Sequence, residues 1–228
     1  MLAFLLGCYT LFAQKNDFFK VNAGTKITNA IPFAERYQYP VFTKGQITLN
    51  DGRSNTCLFN LNLISGEMEF LQGKDTLFIA EMKDLSTIII SKDTFYYQNA
   101  YLKLISNGKL KVYMGQRIGI ADVLKKGAMG TINRSSSSES YNYLDADKLT
   151  HFLTADEDMV FRKVVTFYYS TPDKEITVFN RKNAGKIIVG KDEEIKGFLK
   201  ANEIDFQSRE DILKLTEFIN SQLFEKIN

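Results

Sequence analysis

One histidine and two cysteines limit the metal and nucleophile chemistry that this chain can support. His151 is the single histidine, and the cysteines are Cys8 and Cys57. A zinc site with two histidines is therefore excluded, and so few cysteines do not build a zinc or iron–sulfur cluster. Asp145, Asp147 and Asp156 lie near His151 in the sequence, but no G-x-S-x-G motif supplies the nucleophile of a Ser-His-Asp triad. We interpret His151 as a surface or half-buried residue and predict no catalytic site.

Carboxylates concentrate in residues 139–158, where six Asp/Glu stand against one Lys. Hard oxygen ligands in a loop suit Ca²⁺, but the EF-hand spacing fails because Leu149 stands at the fifth ligand position and Thr150 replaces the turn glycine. We predict a solvated acidic loop and no metal site. Glu67 and Glu69 lie two apart on a predicted strand and share one face, as a glycosidase pair would, but two solvent-facing carboxylates are the simpler interpretation.

Four glycines precede a run of four serines in the middle of the chain. Gly115, Gly119, Gly127 and Gly130 are not followed by the GK[ST] ending of a phosphate-binding loop, so they predict no cofactor site. Their density, together with the serines, is typical of a flexible connection. The sequence therefore predicts such a connection over residues 115–140.

Short alternating runs separated by turn residues predict an antiparallel meander. In one run Cys57, Phe59 and Leu61 share a face, so we expect Cys57 to act as a small buried hydrophobe. The predicted strands cover residues 46–49, 57–63, 67–70, 76–80, 87–91, 94–98, 101–106, 109–114, 164–170 and 175–180.

The dipeptide Asn107-Gly108 lies between two of these runs. Asn-Gly favours a type I′ turn because both central residues then adopt positive φ. Such a turn places Ile105 opposite Leu110. The face predicted to be mostly apolar then contains Tyr101, Lys103 and Ile105 with Leu110, Val112 and Met114.

The C-terminal part of the chain is predicted to be helical. Residues 192–202 form one helix, and Ser208 caps the first turn of a second, with Asp211 completing a capping box. The second helix carries the apolar stripe Ile212, Leu215, Ile219 and Leu223. We expect this stripe to pack on the β-sheet, with docking into a partner's groove as the alternative. Residues 184–189 fit either a strand or a short helix.

The first thirteen residues contain no charge and are too short to span a bilayer. They read as an export signal cleaved after Ala13, which leaves Gln14 as the mature N-terminus. In the alternative interpretation, Leu5-Leu6-Gly7-Cys8 is a lipobox, and lipidation at Cys8 would allow peripheral membrane association.

Charge is close to balanced, with a formal net charge of +2. Residues 14–134 carry 16 Lys/Arg against 10 Asp/Glu, and residues 135–228 carry 13 against 17. This mild asymmetry is far from the basic surface that nucleic acid requires, so we expect no nucleic-acid partner.

Several segments resemble a group of uncharacterised exported proteins of Gram-negative bacteria. They are the signal ending in Phe-Ala-Gln, the runs KGQITLNDG, LNLISGEMEF, KDTLFI and SKDTFYY, a GAMG loop before the serines, and the tail LKANEIDFQSREDILKL. The resemblance implies an exported protein with a β-meander and a helical C-terminus. It implies no activity.

The predicted fold is α+β: an antiparallel β meander of about nine or ten strands, barrel-like or sandwich-like, with two C-terminal helices. The predicted organisation is a signal peptide at 1–13, a β domain at 14–190 and a helical segment at 191–228 packed on it. We expect an exported, non-catalytic, envelope-associated binding or structural protein without a cofactor, whether periplasmic, outer-membrane associated or secreted. The alternative is a β-barrel carrier of a small apolar ligand, and the third is an enzyme without a recognisable motif.

Overall fold

The computed structural model describes residues 18–126, 132–134, 155 and 157–224. The predicted signal, Cys8, His151 and most of the acidic stretch lie outside the described residues. The strands are β1 (Phe18–Val21), β2 (Thr43–Leu49), β3 (Ser54–Leu61), β4 (Met68–Gln72), β5 (Asp75–Phe78), β6 (Leu85–Ile90), β7 (Asp93–Tyr97), β8 (Tyr101–Ser106), β9 (Lys111–Lys126), β10 (Ile132–Arg134), β11 (Asp158–Thr171) and β12 (Lys174–Val178). The helices are α1 (Ile27–Ala30), α2 (Phe33–Arg36), α3 (Arg181–Ala184), α4 (Asp192–Ala201) and α5 (Arg209–Phe218), and α5 continues into a π-helical turn (Ile219–Phe224).

All described strands join one antiparallel sheet in the order β1-β11-β9-β8-β7-β6-β2-β3-β4-β5, with β10 beside β9 and β12 beside β11. The meander prediction is confirmed, although the described part has twelve strands rather than nine or ten. The sheet does not close, because β1 and β5 end the order and do not pair with each other. It is sandwich-like, and the barrel alternative is wrong.

Local sequence explains the tight hairpins. Gln72 lies directly opposite Asp75, so only Gly73 and Lys74 connect β4 to β5. Gly73 has φ 66°, a backbone conformation that favours glycine. The turn therefore fixes the register of this hairpin.

The β8–β9 hairpin differs from the predicted type I′ turn. Lys103 lies opposite Met114, and the ladder shifts before Ser106 pairs with Val112. Neither Asn107 nor Gly108 has positive φ. The predicted pairing of Ile105 with Leu110 is therefore wrong. The physical reason is that the backbone of Leu110 is hydrogen-bonded to a side chain of the C-terminal helical segment instead.

The predicted flexible connection over residues 115–140 is wrong for its first part, which belongs to strand β9. Residues 115–126 belong to this strand, and β11 pairs with it along almost its whole length. Gly115 is not a chain breaker here. A Cβ at this position would lie 3.1 Å from the Leu102 side chain and 3.3 Å from the ring of Tyr168, so the glycine makes room for close packing. Apart from β10, residues 127–140 lie outside the described part.

A first hydrophobic core contains buried residues of β1, α1, β3, β4, β6, β7 and β8. The later part of β9 contributes Ile118 and Val123 to this core. The first half of β11 contributes Met159 and Phe161. Cys57 is half-buried against this core, which is less burial than we expected. Its fully buried aromatic rings are those of Phe59, Phe95 and Phe161.

A second core joins the other halves of β9 and β11 to the C-terminal helices. Its buried residues are Leu110, Val112, Met114, Phe167, Tyr169, Phe179, Ala184, Ile187, Ile188, Ile195, Leu199, Ile204, Ile212, Leu215 and Ile219. The predicted stripe therefore packs on the sheet through Ile212, Leu215 and Ile219. Residues 184–189 form neither a strand nor a full helix; α3 ends at Ala184, and Ile187 and Ile188 are buried in the following turns.

The capping of α5 is partly as predicted. The Ser208 hydroxyl accepts a hydrogen bond from the Asp211 N–H at 3.2 Å. The Asp211 carboxylate does not return this bond to Ser208; it accepts from the Asp205 N–H at 3.1 Å. The cap therefore fixes the entry to α5 and also the loop that precedes it. No helix in the described part is long and apolar enough to cross a membrane.

Candidate functional site

Two of the carboxylates singled out in the sequence, Asp158 and Glu69, accept hydrogen bonds from distant parts of the chain. Asp158 accepts a hydrogen bond from the Ala23 N–H at 2.9 Å. Glu69 accepts one from the Tyr37 hydroxyl at 2.7 Å and one from the Asn62 amide at 2.8 Å. Glu69 thereby ties the segment after α2 to the sheet. Among the described residues, no group of three His, Cys, Asp or Glu has the geometry of a metal site.

A second tie holds the same segment further along. The Tyr39 hydroxyl donates to Asp93 at 2.7 Å, and the Lys103 ammonium lies 3.4 Å from the same carboxylate oxygen. Burial first, and then the bonds to carboxylates, raise the pKa of both Tyr37 and Tyr39 well above the ordinary phenol value. Both phenols therefore remain neutral donors at physiological pH. Sequence reasoning missed this role, because each carboxylate is more than thirty residues from its tyrosine.

Asn60 completes the attachment from within the sheet. It is fully buried, its amide oxygen accepts from the Tyr39 N–H at 3.0 Å, and its amide nitrogen donates to the Tyr39 carbonyl at 2.8 Å. One side chain thus satisfies the N–H and the C=O of Tyr39, which lies outside the strands and has no partner to pair with among the described strands. No sequence motif identified this role, because Asn60 and Tyr39 lie 21 residues apart in the chain.

A small cavity of about 110 Å³ lies between α2 and the β9–β11 pair. Its polar lining residues are Tyr37, Gln38, Gln116, Arg117 and Lys163. Lys163 forms an ion pair with Glu35, which anchors α2 to β11. Carriers of small molecules enclose about 300 Å³ or more, mostly with apolar walls. This cavity is smaller and polar, so it does not favour the apolar-carrier alternative.

The end of the sheet at β5 exposes both backbone and apolar side chains. Every residue of β5 is exposed, and within the described part of the chain no strand pairs with its outer edge. Phe78 is 59% exposed and Leu77 is 40% exposed. Because successive side chains on a strand alternate, Leu77 lies beside Phe70 on the core side and Phe78 lies on the opposite face.

The exposed Phe78 belongs to a larger apolar patch on that opposite face. Leu58 lies opposite Leu71, and Leu71 lies opposite Thr76, which brings Leu71 within diagonal reach of Phe78. Leu58 is 44% exposed and Leu71 is half-buried. We call Leu58, Leu71, Leu77, Phe78 and the free backbone of β5 the β5 edge surface. The pairing order that creates this surface is a tertiary property, and no sequence signal identified it.

The β5 edge surface has a backbone edge and two apolar faces, which is a geometry that an added strand can use. Comparison of the chain with protein-family models, with curated proteins and with solved structures finds no match.

Proposed function

We propose that the protein is an exported, non-catalytic, envelope-associated binding module that captures an extended segment of another protein along β5. The observation that carries this proposal is the β5 edge surface. An unpaired strand edge presents N–H and C=O groups in a row, and native proteins usually cover or charge such an edge. Here the edge has Leu77 on one face and Phe78 on the other.

An incoming strand would gain both backbone hydrogen bonds and apolar side-chain contacts. Its backbone would pair with β5, and its alternate side chains would contact Phe78 and Leu71 on one face and Leu77 on the other. The four residues of β5 offer only a few hydrogen bonds, so the apolar patch must supply much of the affinity. We therefore expect a partner segment that alternates apolar side chains.

Export is supported by the charge-free residues 1–13. We expect native protein from the envelope fraction to begin at Gln14. N-terminal sequencing and intact mass of that protein test this. An intact Met1 on cytoplasmic protein would contradict export, and a lipid-modified Cys8 would replace signal cleavage by lipoprotein processing.

Site-directed photocrosslinking in native cells tests the binding proposal. A photoreactive residue at Thr76 should give a specific adduct whose site on the partner maps to an extended segment. The same residue at Glu175, an exposed position on β12, should not. A Lys at an exposed edge position repels an added strand. Phe78→Lys should therefore abolish the Thr76 adduct.

The matched control is Val178→Lys, which places the same charge on another strand at a site 39% exposed. It should leave the adduct intact. No adduct at Thr76, or an adduct that persists in folded Phe78→Lys protein, would reject the β5 edge as the binding surface. Circular dichroism of each variant verifies the fold.

A further inference from the structure

The loop between β8 and β9 contains the only Asn-Gly dipeptide of the chain, Asn107-Gly108. Both residues are exposed and lie outside the strands. Within the described part of the chain, neither the Asn107 side chain nor the Gly108 N–H forms a hydrogen bond. Gly108 also has no Cβ to hinder an approach to its nitrogen. The electrophile and the nucleophile of a deamidation reaction are therefore adjacent, unengaged and open to water.

We propose that Asn107-Gly108 is a self-modification site that deamidates in the folded protein and loosens the attachment of the C-terminal helical segment. The Gly108 nitrogen loses its proton and attacks Cγ of Asn107, which forms a C–N bond. The side-chain nitrogen leaves as ammonia, and a five-membered imide remains. Water then opens the ring. Attack at Cγ gives an ordinary aspartate with the main chain unchanged, and attack at the backbone carbonyl gives isoaspartate.

A second turn, Asp51-Gly52, contains a dipeptide that can also form a cyclic imide, and it serves as an internal comparison. Asp51-Gly52 can form the same imide with loss of water. There, however, the Gly52 N–H donates to the Leu49 carbonyl at 3.0 Å, and the Asp51 carboxylate is bound to Arg53. Both reacting groups are engaged. We therefore expect this turn to react more slowly, although it is also exposed.

The consequence of the reaction follows from the position of Gly108. A Cβ on Gly108 would lie 2.7 Å from the amide nitrogen of Asn220, so the loop backbone is in close contact with that side chain. Asn220 in turn holds both backbone groups of Leu110. Isoaspartate lengthens the main chain by one atom just before this contact. The loop then no longer presents Leu110 to Asn220 in the same position.

The test incubates the folded full-length protein in mildly alkaline buffer and digests it with trypsin. Cleavage after Lys103 and Lys109 releases residues 104–109, which contain Asn107 as their only Asn. We expect this peptide to gain one mass unit and to split into two chromatographic species over time. The peptide of residues 45–53 should retain a single species. Asn107→Gln is the control, since its longer side chain forms the ring poorly and, within the described part of the chain, the parent side chain has no hydrogen-bond partner to lose.

Aged wild-type protein should unfold at a lower urea concentration than aged Asn107→Gln protein. It should also be cut sooner by protease within residues 209–224. Asn107→Asp separates the added charge from the longer backbone, and we expect a smaller shift in its midpoint. If residues 104–109 stay unmodified in the folded protein while the urea-unfolded protein deamidates, the fold protects the site and the proposal is wrong. If the peptide deamidates but the midpoint and the C-terminal cleavage match those of Asn107→Gln, the proposed coupling to the helix is wrong.

Discussion

The side-chain amide of Asn220 pairs with the backbone of Leu110 as a neighbouring strand residue would. The Leu110 N–H donates to the Asn220 amide oxygen at 2.8 Å, and the Asn220 amide nitrogen donates to the Leu110 carbonyl at 3.2 Å. β8 offers no partner at this point, because its pairing ends with Ser106 opposite Val112. The C-terminal helical turn thus satisfies a buried residue that the sheet leaves unpaired.

Replacing Asn220 by Ala should destabilise the protein by about 1–3 kcal/mol, because the buried Leu110 N–H and C=O lose their partners together. Urea unfolding of Asn220→Ala against the parent measures the loss. The neighbouring control is Ser221→Ala, whose hydroxyl bonds to Glu217 within the same helical segment. Equal midpoints for the two variants would contradict the role assigned to Asn220.

Asn60→Ala should lower the free energy of unfolding by about 1–3 kcal/mol or more, at least as much as Asn220→Ala. The reason is that Asn60 is fully buried and binds both backbone groups of Tyr39. Asn55→Ala is the control on the same strand, since the Asn55 amide oxygen bonds to the N–H of the next residue. Thermal unfolding of both variants compares them. A small shift for Asn60→Ala would mean that water replaces the amide without loss.

Leu215→Ala should lower the free energy of unfolding by about 2–5 kcal/mol, since Leu215 is fully buried in the second core and truncation leaves a cavity. Lys214→Ala, on the exposed side of the same helix, should change it by less than about 0.5 kcal/mol. Urea titrations of the isolated protein measure both changes. An unchanged midpoint for Leu215→Ala would favour a helix that docks only on a partner.

The half-buried Tyr39 and the buried Tyr101 should respond differently to loss of the hydroxyl. Tyr39→Phe should destabilise the protein by about 1–3 kcal/mol near neutral pH, because it removes the bond to Asp93. Within the described part of the chain the Tyr101 hydroxyl is buried without a hydrogen-bond partner, so Tyr101→Phe should be neutral or slightly stabilising. Denaturant midpoints at neutral pH separate the two cases. A large loss for Tyr101→Phe would reveal a partner for its hydroxyl.

Tyr39 and Tyr101 should also make the free energy of unfolding depend on pH in the alkaline range. Burial first, and then nearby groups, raise the pKa of Tyr39 and of Tyr101 above the value of about 10 expected in the unfolded chain. Their contribution is therefore complete below pH about 10 and is lost as pH rises further, because the unfolded chain ionises first. Either Phe variant should flatten this decline. Unfolding midpoints measured on both sides of pH about 10 provide the check.

The local part of this fold was predictable because it depends on alternation and turns. Strands β3 to β8 were predicted within a few residues, and α4 and α5 begin at Asp192 and Arg209 as their sequence patterns indicate. Helix caps and tight hairpins are set by neighbouring residues. No distant contact is needed to specify them.

The missed features all depend on distant partners. Gly115 predicted a break, but Leu102 and Tyr168 pack against it within a continuous strand. The Asn-Gly dipeptide predicted a two-residue turn, but Asn220 takes over the pairing of Leu110 from more than a hundred residues away. The β5 edge surface was missed for the same reason. Which strand lies at the edge of a sheet depends on how all the other strands pair.

The long pairing of β9 with β11 also has a consequence for the order in which the chain assembles. Strands β2 to β8 pair among near neighbours in sequence and need nothing from the C-terminal half. Among the described strands, by contrast, β1 pairs only with β11, with Phe18 opposite Arg162. Such remote pairing is slow because a long loop must close first. During synthesis the first strand of the sheet must therefore wait for residues 158–171, and during refolding we expect it to gain protection from hydrogen exchange later than β2 to β8.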